Sequence, residues 1–186
     1  EHYLVHVMRS SENFVRELAF VAVADSKIVG CVMFVKGTIA GDDGVVREVL
    51  TLGPIAVLPA YPKKGVGRRL IDHARKEAIR QGYAAIVLCG DPLYYSRVGF
   101  EPAENFGIRT ADNKYFVALQ ICPLQEKRPE SFAGRYSDDA VYNISQEAAF
   151  EFDQQFLPKD RLENTPSQKR LLEIIEMQRP FDGAKR

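Results

Sequence analysis

The order strand, glycine loop, helix and strand constrains the fold of this chain more than any other feature. Residues 45–57 are strand-like, and the stretch "AAIVLCG" (residues 84–90) is a continuous apolar run, typical of a strand that is covered on both faces. Between them, apolar residues recur at helical spacing over residues 66–81, and Gly82 stands where a C-terminal cap belongs. The sequence therefore predicts a βαβ unit, in which the two strands run parallel.

The segment before this unit predicts a short helix and an antiparallel hairpin. "YLVHVMRSS" has apolar residues at helical spacing. Two β-rich runs, Ala19–Ala24 and Lys27–Lys36, follow and are joined through Asp25 and Ser26. We expect a second turn at residues 41–44, which leads into the βαβ unit.

The segment after the unit predicts another helix and a last strand. "DPLYYSRVGF" (residues 91–100) is typical of a short helix that Gly99 ends, and "KYFVALQICPL" (residues 114–124) is strand-like. The antiparallel start and the parallel centre together predict a mixed α/β sheet.

Beyond Pro123 the sequence changes character. "QEKRPESFAGRYSDDA" is polar and turn-rich, and residues 143–158 and 165–180 then have the pattern of two capped helices. We predict a domain over residues 1–124 and a C-terminal extension over residues 125–186, which packs on that domain or forms a homodimer interface.

Composition argues against several partners. Lys plus Arg (25) balances Asp plus Glu (25), so no net field attracts nucleic acid or an anionic membrane. No apolar stretch reaches the roughly eighteen residues that span a bilayer, and the three cysteines lie in apolar surroundings without CxxC spacing. The histidines have no metal-ligand spacing. We therefore expect a cytoplasmic protein with reduced thiols, no metal, and no nucleic-acid or membrane partner.

The loop "YPKKGVGRRLI" (residues 61–71) has the features of an anion site. Gly65 and Gly67 would let a ligand approach the backbone closely, and the first N–H groups of the helix point toward that position. Positive side chains surround the two glycines: Lys63, Lys64, Arg68 and Arg69. The alternatives are an ordinary tight turn with solvated cations, or a dinucleotide site that lacks its third glycine, since Leu70 stands at that position.

These motifs in this order resemble the acetyl-CoA-binding core of the GNAT superfamily of N-acyltransferases. The resemblance covers residues 14–122, and "GDPLYYSRVGF", "FDQQF" and "TPSQK" are similar to a bacterial subgroup of predicted acetyltransferases. It rests on an apolar triplet, two loop glycines and a tyrosine before a Gly-Phe pair. These residues are Ile55, Ala56, Val57, Gly65, Gly67, Tyr95, Gly99 and Phe100.

The resemblance implies the GNAT fold, acetyl-CoA as cosubstrate, and a slot beside a bulge, which we expect at Gly53 and Pro54. It places the pantetheine against the apolar triplet and the pyrophosphate on the loop backbone. The implied cofactor-binding residues are Ile55, Ala56, Val57, Lys63, Lys64, Gly65, Val66, Gly67, Arg68 and Tyr95. One departure is Pro62, where the family usually has Gln or Arg. The family's first strand and helix also have no evident counterpart in this sequence.

Acetyl transfer to an amine needs a proton acceptor, and the sequence leaves its identity open. A lysine-like amine has a pKa of about 10.4, so its neutral form costs about 4 to 5 kcal/mol at pH 7. The family's glutamate falls on Thr51, which is no base. We name Glu48 as the catalytic candidate, although strand alternation turns it away from Thr51 and pairing with Arg47 is the alternative. Glu101, Asp91 and a chain of water molecules are equally open alternatives for the proton acceptor.

By position, Tyr95 matches the family tyrosine that protonates the leaving thiol, and Tyr94 beside it is expected to pack on the sheet. The resemblance thus implies transfer of acetyl to a primary amine of a small molecule or peptide, by direct attack in a ternary complex. The rival is a catalytically silent acyl-CoA-binding or regulatory module, which Thr51 and Pro62 favour.

Overall fold

The computed structural model describes residues 2–61, 64–124, 132–158 and 165–182. Its strands are β1 (Phe20–Ala24), β2 (Lys27–Gly41), β3 (Val46–Val57), β4 (Ala85–Cys89), β5 (Glu101–Pro102), β6 (Ile108–Arg109), β7 (Lys114–Phe116), β8 (Leu119–Pro123), β9 (Gly134–Ser137) and β10 (Gln178–Pro180). Its α-helices are α1 (His2–Met8), α2 (Val66–Arg80), α3 (Pro92–Tyr95), α4 (Gln146–Asp153) and α5 (Pro166–Glu176).

The described residues form an eight-stranded mixed sheet in the order β5-β8-β4-β3-β2-β9-β6, and β1 also pairs with β2. Strands β3 and β4 are parallel, with Leu50 opposite Ile86. This pairing confirms the predicted βαβ unit, in which α2 connects the two strands. Strands β6 and β9 are also parallel, whereas the other pairs of this sheet are antiparallel.

The predicted hairpin is confirmed, and its turn shows why two non-glycine residues form it. Asp25 and Ser26 both have positive φ, 49° and 59°, the backbone that matches the twist of a two-residue hairpin. Strand β2 extends to Gly41, beyond the predicted end at Lys36, because the turn after it closes a second hairpin with β3.

Helix α2 covers one face of the sheet with its apolar stripe. Leu70, Ile71 and Ala74 are buried in a cluster that also contains Phe34 of β2 and Leu88 of β4. The opposite face carries a second cluster with Ile39, Val49, Val87 and Phe132 among its members. Strand β4 is therefore covered on both faces, as its continuous apolar run predicts.

Two expectations about strands were wrong. The stretch 114–124 is two strands, because the chain turns away at Val117: β7 pairs with β10, and β8 pairs with β4. The polar stretch 125–140 also contains a strand, β9, which pairs with β2 and β6. A Cβ at Gly134 would clash with the carbonyl of Ala40 in β2, so a glycine that reads as a turn signal instead allows a close strand pair.

Both helices predicted in the C-terminal extension are confirmed. Ser145 caps α4 by accepting from the Ala148 amide, and Thr165 forms a capping box with Gln168 at the start of α5. Strand β9 joins the central sheet, while the boundary at residues 124 and 125 and the homodimer stay predictions. No helix in the described part of the chain is long and apolar enough to cross a bilayer.

Candidate active site

Strand β3 breaks where Gly53 and Pro54 stand, as predicted. The ladder between β2 and β3 shifts here, so that both residues face the single residue Met33, which is the definition of a bulge. The Gly53–Pro54 peptide bond is cis. Within the described residues, pairing of β3 with β4 ends at Thr51 and Val87. The two parallel strands therefore separate beyond the bulge and leave a slot between them.

A cavity of about 330 Å³ occupies this slot. Its lining comes from five parts of the chain: helix α1, β3, the end of β4, helix α3, and β9 with the segment that follows it. The residues that carry polar groups into it are Thr51, Cys89, Tyr95, Tyr136, Asp138 and Tyr142. Pro54 and Ile55 line the same cavity on the β3 side.

Two hydrogen bonds fix the extension against the broken strand. The hydroxyls of Thr51 and Tyr136 lie 2.7 Å apart, and the Tyr142 hydroxyl donates to the Gly53 carbonyl at 2.8 Å. Burial raises the pKa of Tyr136 well above its ordinary value. Both tyrosines thus hold the cavity wall in place as neutral hydroxyls.

A second groove of about 600 Å³ runs between the end of β3, the start of α2 and helix α3. Gly65 has the left-handed φ of 71° and caps α2 without a side-chain hydrogen bond. The first N–H groups of α2 are therefore available to a ligand. A Cβ at Gly67 would lie 2.8 Å from the Tyr94 hydroxyl, so a larger residue there would displace the Tyr94 side chain.

The predicted loop residues divide between two grooves. Val57, Gly65, Val66, Gly67 and Arg68 line the 600 Å³ groove. The ammonium of Lys64 lies 4.7 Å from the centre of the Tyr61 ring, and Lys64 lines a separate groove beside β1. Ala56 faces a shallow apolar recess with Val57. Lys63 and Pro62 lie outside the described residues.

Arg97 was not predicted, yet it lines the same groove as Gly65 and Arg68. It follows α3 in a single 3-10 turn that Gly99 ends with a φ of 88°. Sequence reasoning missed it because it lies about thirty residues from the loop, and only the packing of α3 brings the two together.

Tyr95 lines the 330 Å³ cavity, and its role as proton donor stays a prediction. Asp91 caps α3 by accepting from the Leu93 amide, and the helix then directs the Tyr95 ring into the 330 Å³ cavity. The ring packs edge-on against Phe100 and leaves no room for a Cβ at Gly90. The expected packing role of Tyr94 is wrong: Tyr94 is 43% exposed, and its hydroxyl reaches the glycine loop.

The structure does not bring Glu48 together with Tyr95. Its carboxylate lies 3.1 Å from the Lys36 ammonium, about half exposed, and it does not line the cavity. This ion pair raises the pKa of Lys36. Arg47, which the sequence suggested as an ion-pair partner of Glu48, pairs with Asp43 instead. The role of Glu48 as the general base therefore stays a prediction, and its position beside Lys36 does not support it.

The other candidate bases are also outside the cavity. Glu101 lies in β5, and Asp91 is engaged as the cap of α3 and faces Arg170 at 3.5 Å. Thr51 lines the cavity, but its hydroxyl is bonded to Tyr136 and is no base. Asp138, which sequence reasoning did not consider, is the carboxylate that lines the cavity. No sequence signal could have identified it, because the pairing of β9 with β2 places it there.

Desolvation by the surrounding protein affects two cavity groups, Asp138 and Cys89, although both residues are exposed to solvent over part of their surface. It raises the pKa of Asp138, and the nearby charge of Asp139 adds to the effect. It also raises the pKa of Cys89 to about 12, although the thiol remains accessible through the cavity mouth. In the described ranges, no group of three or more His, Cys, Asp or Glu side chains is arranged to hold a metal ion.

Comparisons with known proteins agree with this geometry. Residues 16–102 match the model of the acetyltransferase (GNAT) domain. YhbS of Escherichia coli, an uncharacterized N-acetyltransferase, is 34% identical over 110 residues, which cover 59% of this chain and 63% of YhbS. YjhQ, another uncharacterized N-acetyltransferase of that organism, is 33% identical over 53% of this chain and 54% of its own length. The chain thus spans less than two thirds of these curated relatives.

Two solved structures share the fold. The crystal structure of Escherichia coli YhbS in complex with CoA has a TM-score of 0.68 at 29% identity, over 77% of this chain and 78% of that one. A GNAT family acetyltransferase from Brucella melitensis in complex with acetyl-CoA has a TM-score of 0.58 at 25% identity, over 76% and 77% of the chains. These comparisons agree with the resemblance seen in the sequence: this chain has the GNAT fold, and its residues 16–102 are similar to the GNAT acetyltransferase domain.

Proposed function

We propose that the protein is an N-acetyltransferase that moves an acetyl group from acetyl-CoA to a primary amine of a small molecule or peptide. The observation that carries the proposal is the separation of β3 from β4 beyond Thr51, with Tyr95 at one end of the slot and the uncapped start of α2 at the other. The complexes of two relatives with CoA and acetyl-CoA support it.

The residues present fit acetyl-CoA as cosubstrate. Residues 55–57 pair with β2 on one side, and among the described residues their other side, toward β4, has no strand partner and suits the amides of pantetheine. The left-handed Gly65 leaves the α2 N–H groups available to a pyrophosphate. Arg68 and Arg97 supply positive charge in the same groove. When bound, acetyl-CoA supplies an activated acyl group as a thioester.

The protein's own groups have two tasks in this reaction. Tyr95 lies in the cavity with a hydroxyl that is able to donate a proton to a departing thiolate. The cavity wall of Tyr136 and Tyr142 limits the entry of water.

Direct attack in a ternary complex is favoured over an acyl-cysteine route. A thiol must ionise to act as a nucleophile. Because the pKa of Cys89 is raised to about 12, its thiolate is scarce at neutral pH. The described cysteines are free thiols, which proteins of a reducing compartment retain, and we therefore assign the protein to the cytoplasm.

A second candidate is a silent acyl-CoA-binding or regulatory module. The observation in its favour is Thr51, which stands at the family's glutamate position and carries a hydroxyl that is bonded to Tyr136 and is no general base. Two measurements separate the candidates. Acetyl-CoA should raise the melting temperature under both, whereas release of free CoA thiol with a panel of primary amines is expected only of the enzyme. If acetyl-CoA gives no thermal stabilisation, both candidates are wrong.

A further inference from the structure

In the described part of the chain, a single acidic side chain lines the cavity at the break in β3. Asp138 follows β9 directly, and Tyr136 and Tyr142 flank it in sequence and in the cavity wall. Among the described residues that line the cavity, it is the only one whose side chain ionises below neutral pH. Any positive charge that enters the cavity therefore meets the carboxylate of Asp138.

The neighbouring polar groups already serve the structure. Tyr136 is bonded to Thr51, and Tyr142 donates to Gly53. The carboxylate of Asp139, next in the chain, accepts from the Asn13 amide at 2.6 Å and from the Val141 backbone at 2.7 Å. These hydrogen bonds hold the segment after β9 in place and so help to position the adjacent residue Asp138.

The groups around Asp138 make its carboxylate more basic. Partial desolvation raises its pKa and the charge of Asp139 raises it further, while the residue stays exposed to solvent over part of its surface. The thiol of Cys89 and the phenols of Tyr95, Tyr136 and Tyr142 face the same cavity, and all of these groups are uncharged at neutral pH. A base whose pKa lies closer to the working pH accepts a proton more effectively.

We propose that this cavity binds a small primary ammonium and that Asp138 takes a proton from it. The inference rests on the proposed acetyl transfer and supplies the base that the family's glutamate position lacks. An N–H bond of the ammonium breaks, and the proton passes to the Asp138 carboxylate. The freed electron pair on nitrogen then forms the bond to the acetyl carbon of acetyl-CoA, while the carbon–sulfur bond breaks.

The protons balance over the cycle. The departing sulfur receives the Tyr95 hydroxyl proton, and the second proton of the acylated nitrogen returns to Tyr95 through water. Asp138 releases its proton to solvent, so the sum is one amide, one CoA thiol and one proton.

The residues that line the cavity also indicate the size and chemical class of the amine acceptor. The cavity volume of about 330 Å³ is at the small end of ligand pockets, and the acetyl thioester beside Tyr95 would take part of it, so the acceptor has to be small. Tyr95, Tyr136 and Tyr142 offer rings for stacking, and Leu4 and Pro54 add apolar surface. A carboxylate on the substrate would meet the like charge of Asp138. We infer that the acceptor is an aralkyl monoamine without a carboxylate.

The test compares three acceptors with wild type, Asp138→Asn and Asp112→Asn. Phenethylamine is an ammonium at pH 7, phenylalanine adds a carboxylate to it, and aniline is already neutral. Asp112 lies in the turn before β7, is hydrogen-bonded to Thr110 and does not line the cavity, so its amide variant is a matched control. Release of CoA thiol is followed from pH 6 to pH 9, and binding of acetyl-CoA is measured by calorimetry.

We expect Asp138→Asn to lower kcat/KM for phenethylamine about 100-fold at pH 7, with the loss shrinking as pH rises. With aniline the loss should be below about threefold, because no proton has to be removed before attack. Wild type should use phenylalanine at least about tenfold less well than phenethylamine. Asp112→Asn should behave as wild type throughout.

Equal losses with aniline and phenethylamine would show a merely structural role for Asp138 and overturn the proposal. Turnover of phenylalanine as fast as phenethylamine, or turnover of none of the three, would overturn the substrate class. The measured binding of acetyl-CoA distinguishes these outcomes from a failure of the proposed acetyltransferase function. If acetyl-CoA does not bind, the proposed function is contradicted. If acetyl-CoA binds normally, only the inference about Asp138 or the substrate class is overturned.

Discussion

The hydroxyl of Tyr142 donates a hydrogen bond of 2.8 Å to the carbonyl oxygen of Gly53, 89 positions earlier in the chain. Gly53 lies at the break of β3, where the ladder to β2 shifts and its carbonyl leaves the regular pattern. The C-terminal extension therefore supplies the partner that the bulge requires, and the same segment places Asp138 in the cavity.

Replacing Tyr142 by Phe should destabilise the protein by about 1 kcal/mol, with an upper limit near 3 kcal/mol if the Gly53 carbonyl finds no water. The midpoint of urea unfolding should fall with an unchanged slope. Tyr3→Phe, which removes a hydroxyl from α1, provides the control. A Tyr142→Phe midpoint equal to that of wild type would mean that the bulge does not depend on this bond.

Replacing Tyr95 by Phe should lower kcat between about tenfold and 100-fold, because the departing thiolate loses its proton donor. The ring stays against Phe100, so the affinity for acetyl-CoA should change little. Steady-state CoA release and calorimetry measure the two quantities. Tyr94→Phe is the paired variant, since Tyr94 contacts the glycine loop and should affect acetyl-CoA affinity instead. An unchanged kcat in Tyr95→Phe would exclude Tyr95 as the proton donor.

The half of the candidate site around the glycine loop and Tyr95 could be predicted from the sequence, because that half is local. The bulge at Gly53, the loop at Gly65 and Gly67, and the helix with Tyr95 are each specified by glycine or proline within a short stretch. Their order along the chain then gave the arrangement of β3, α2 and β4.

The acceptor-facing half was not predictable, because it depends on one long-range strand pair. Strand β9 has four residues, and the alternation of its buried and exposed side chains is too short to stand out from a turn. Its pairing with β2 brings Tyr136, Asp138 and Tyr142 beside β3. The base was accordingly sought on β3 itself, where Glu48 pairs with Lys36 outside the cavity.

Replacing Arg97 by Ala should weaken acetyl-CoA binding about tenfold or more, the expected effect of losing one hydrogen bond to a charged group. Arg97 lines the groove of Gly65 and Gly67, so the loss should diminish at high salt. Calorimetry at low and high salt measures it. Arg80→Ala is the control, because Arg80 lies at the opposite end of α2 and pairs with Glu77. Equal effects of the two variants would indicate only a loss of net charge.

Asp138→Asn should raise the melting temperature at pH 7 by roughly 1 to 3 °C. The folded state raises the pKa of Asp138, so its carboxyl binds a proton more tightly in the folded than in the unfolded chain. The resulting stability is present below the unfolded pKa and is lost as pH rises through the folded pKa. The advantage of the Asn variant should therefore grow from pH 4 to pH 7.

Asp112→Asn provides a control of opposite sign for this pH dependence. A hydrogen bond to Lys114 lowers the pKa of Asp112, so its stabilising contribution is present above the unfolded pKa and lost as pH falls. The Asn variant at this position should melt below wild type at pH 7 and approach it at low pH. Calorimetric scans from pH 4 to pH 8 test both variants. If Asp138 is kept for function, its carboxylate should lower the melting temperature of the wild type, and the Asp138→Asn variant should recover that loss. The same pH dependence in Asp138→Asn and Asp112→Asn would contradict this interpretation.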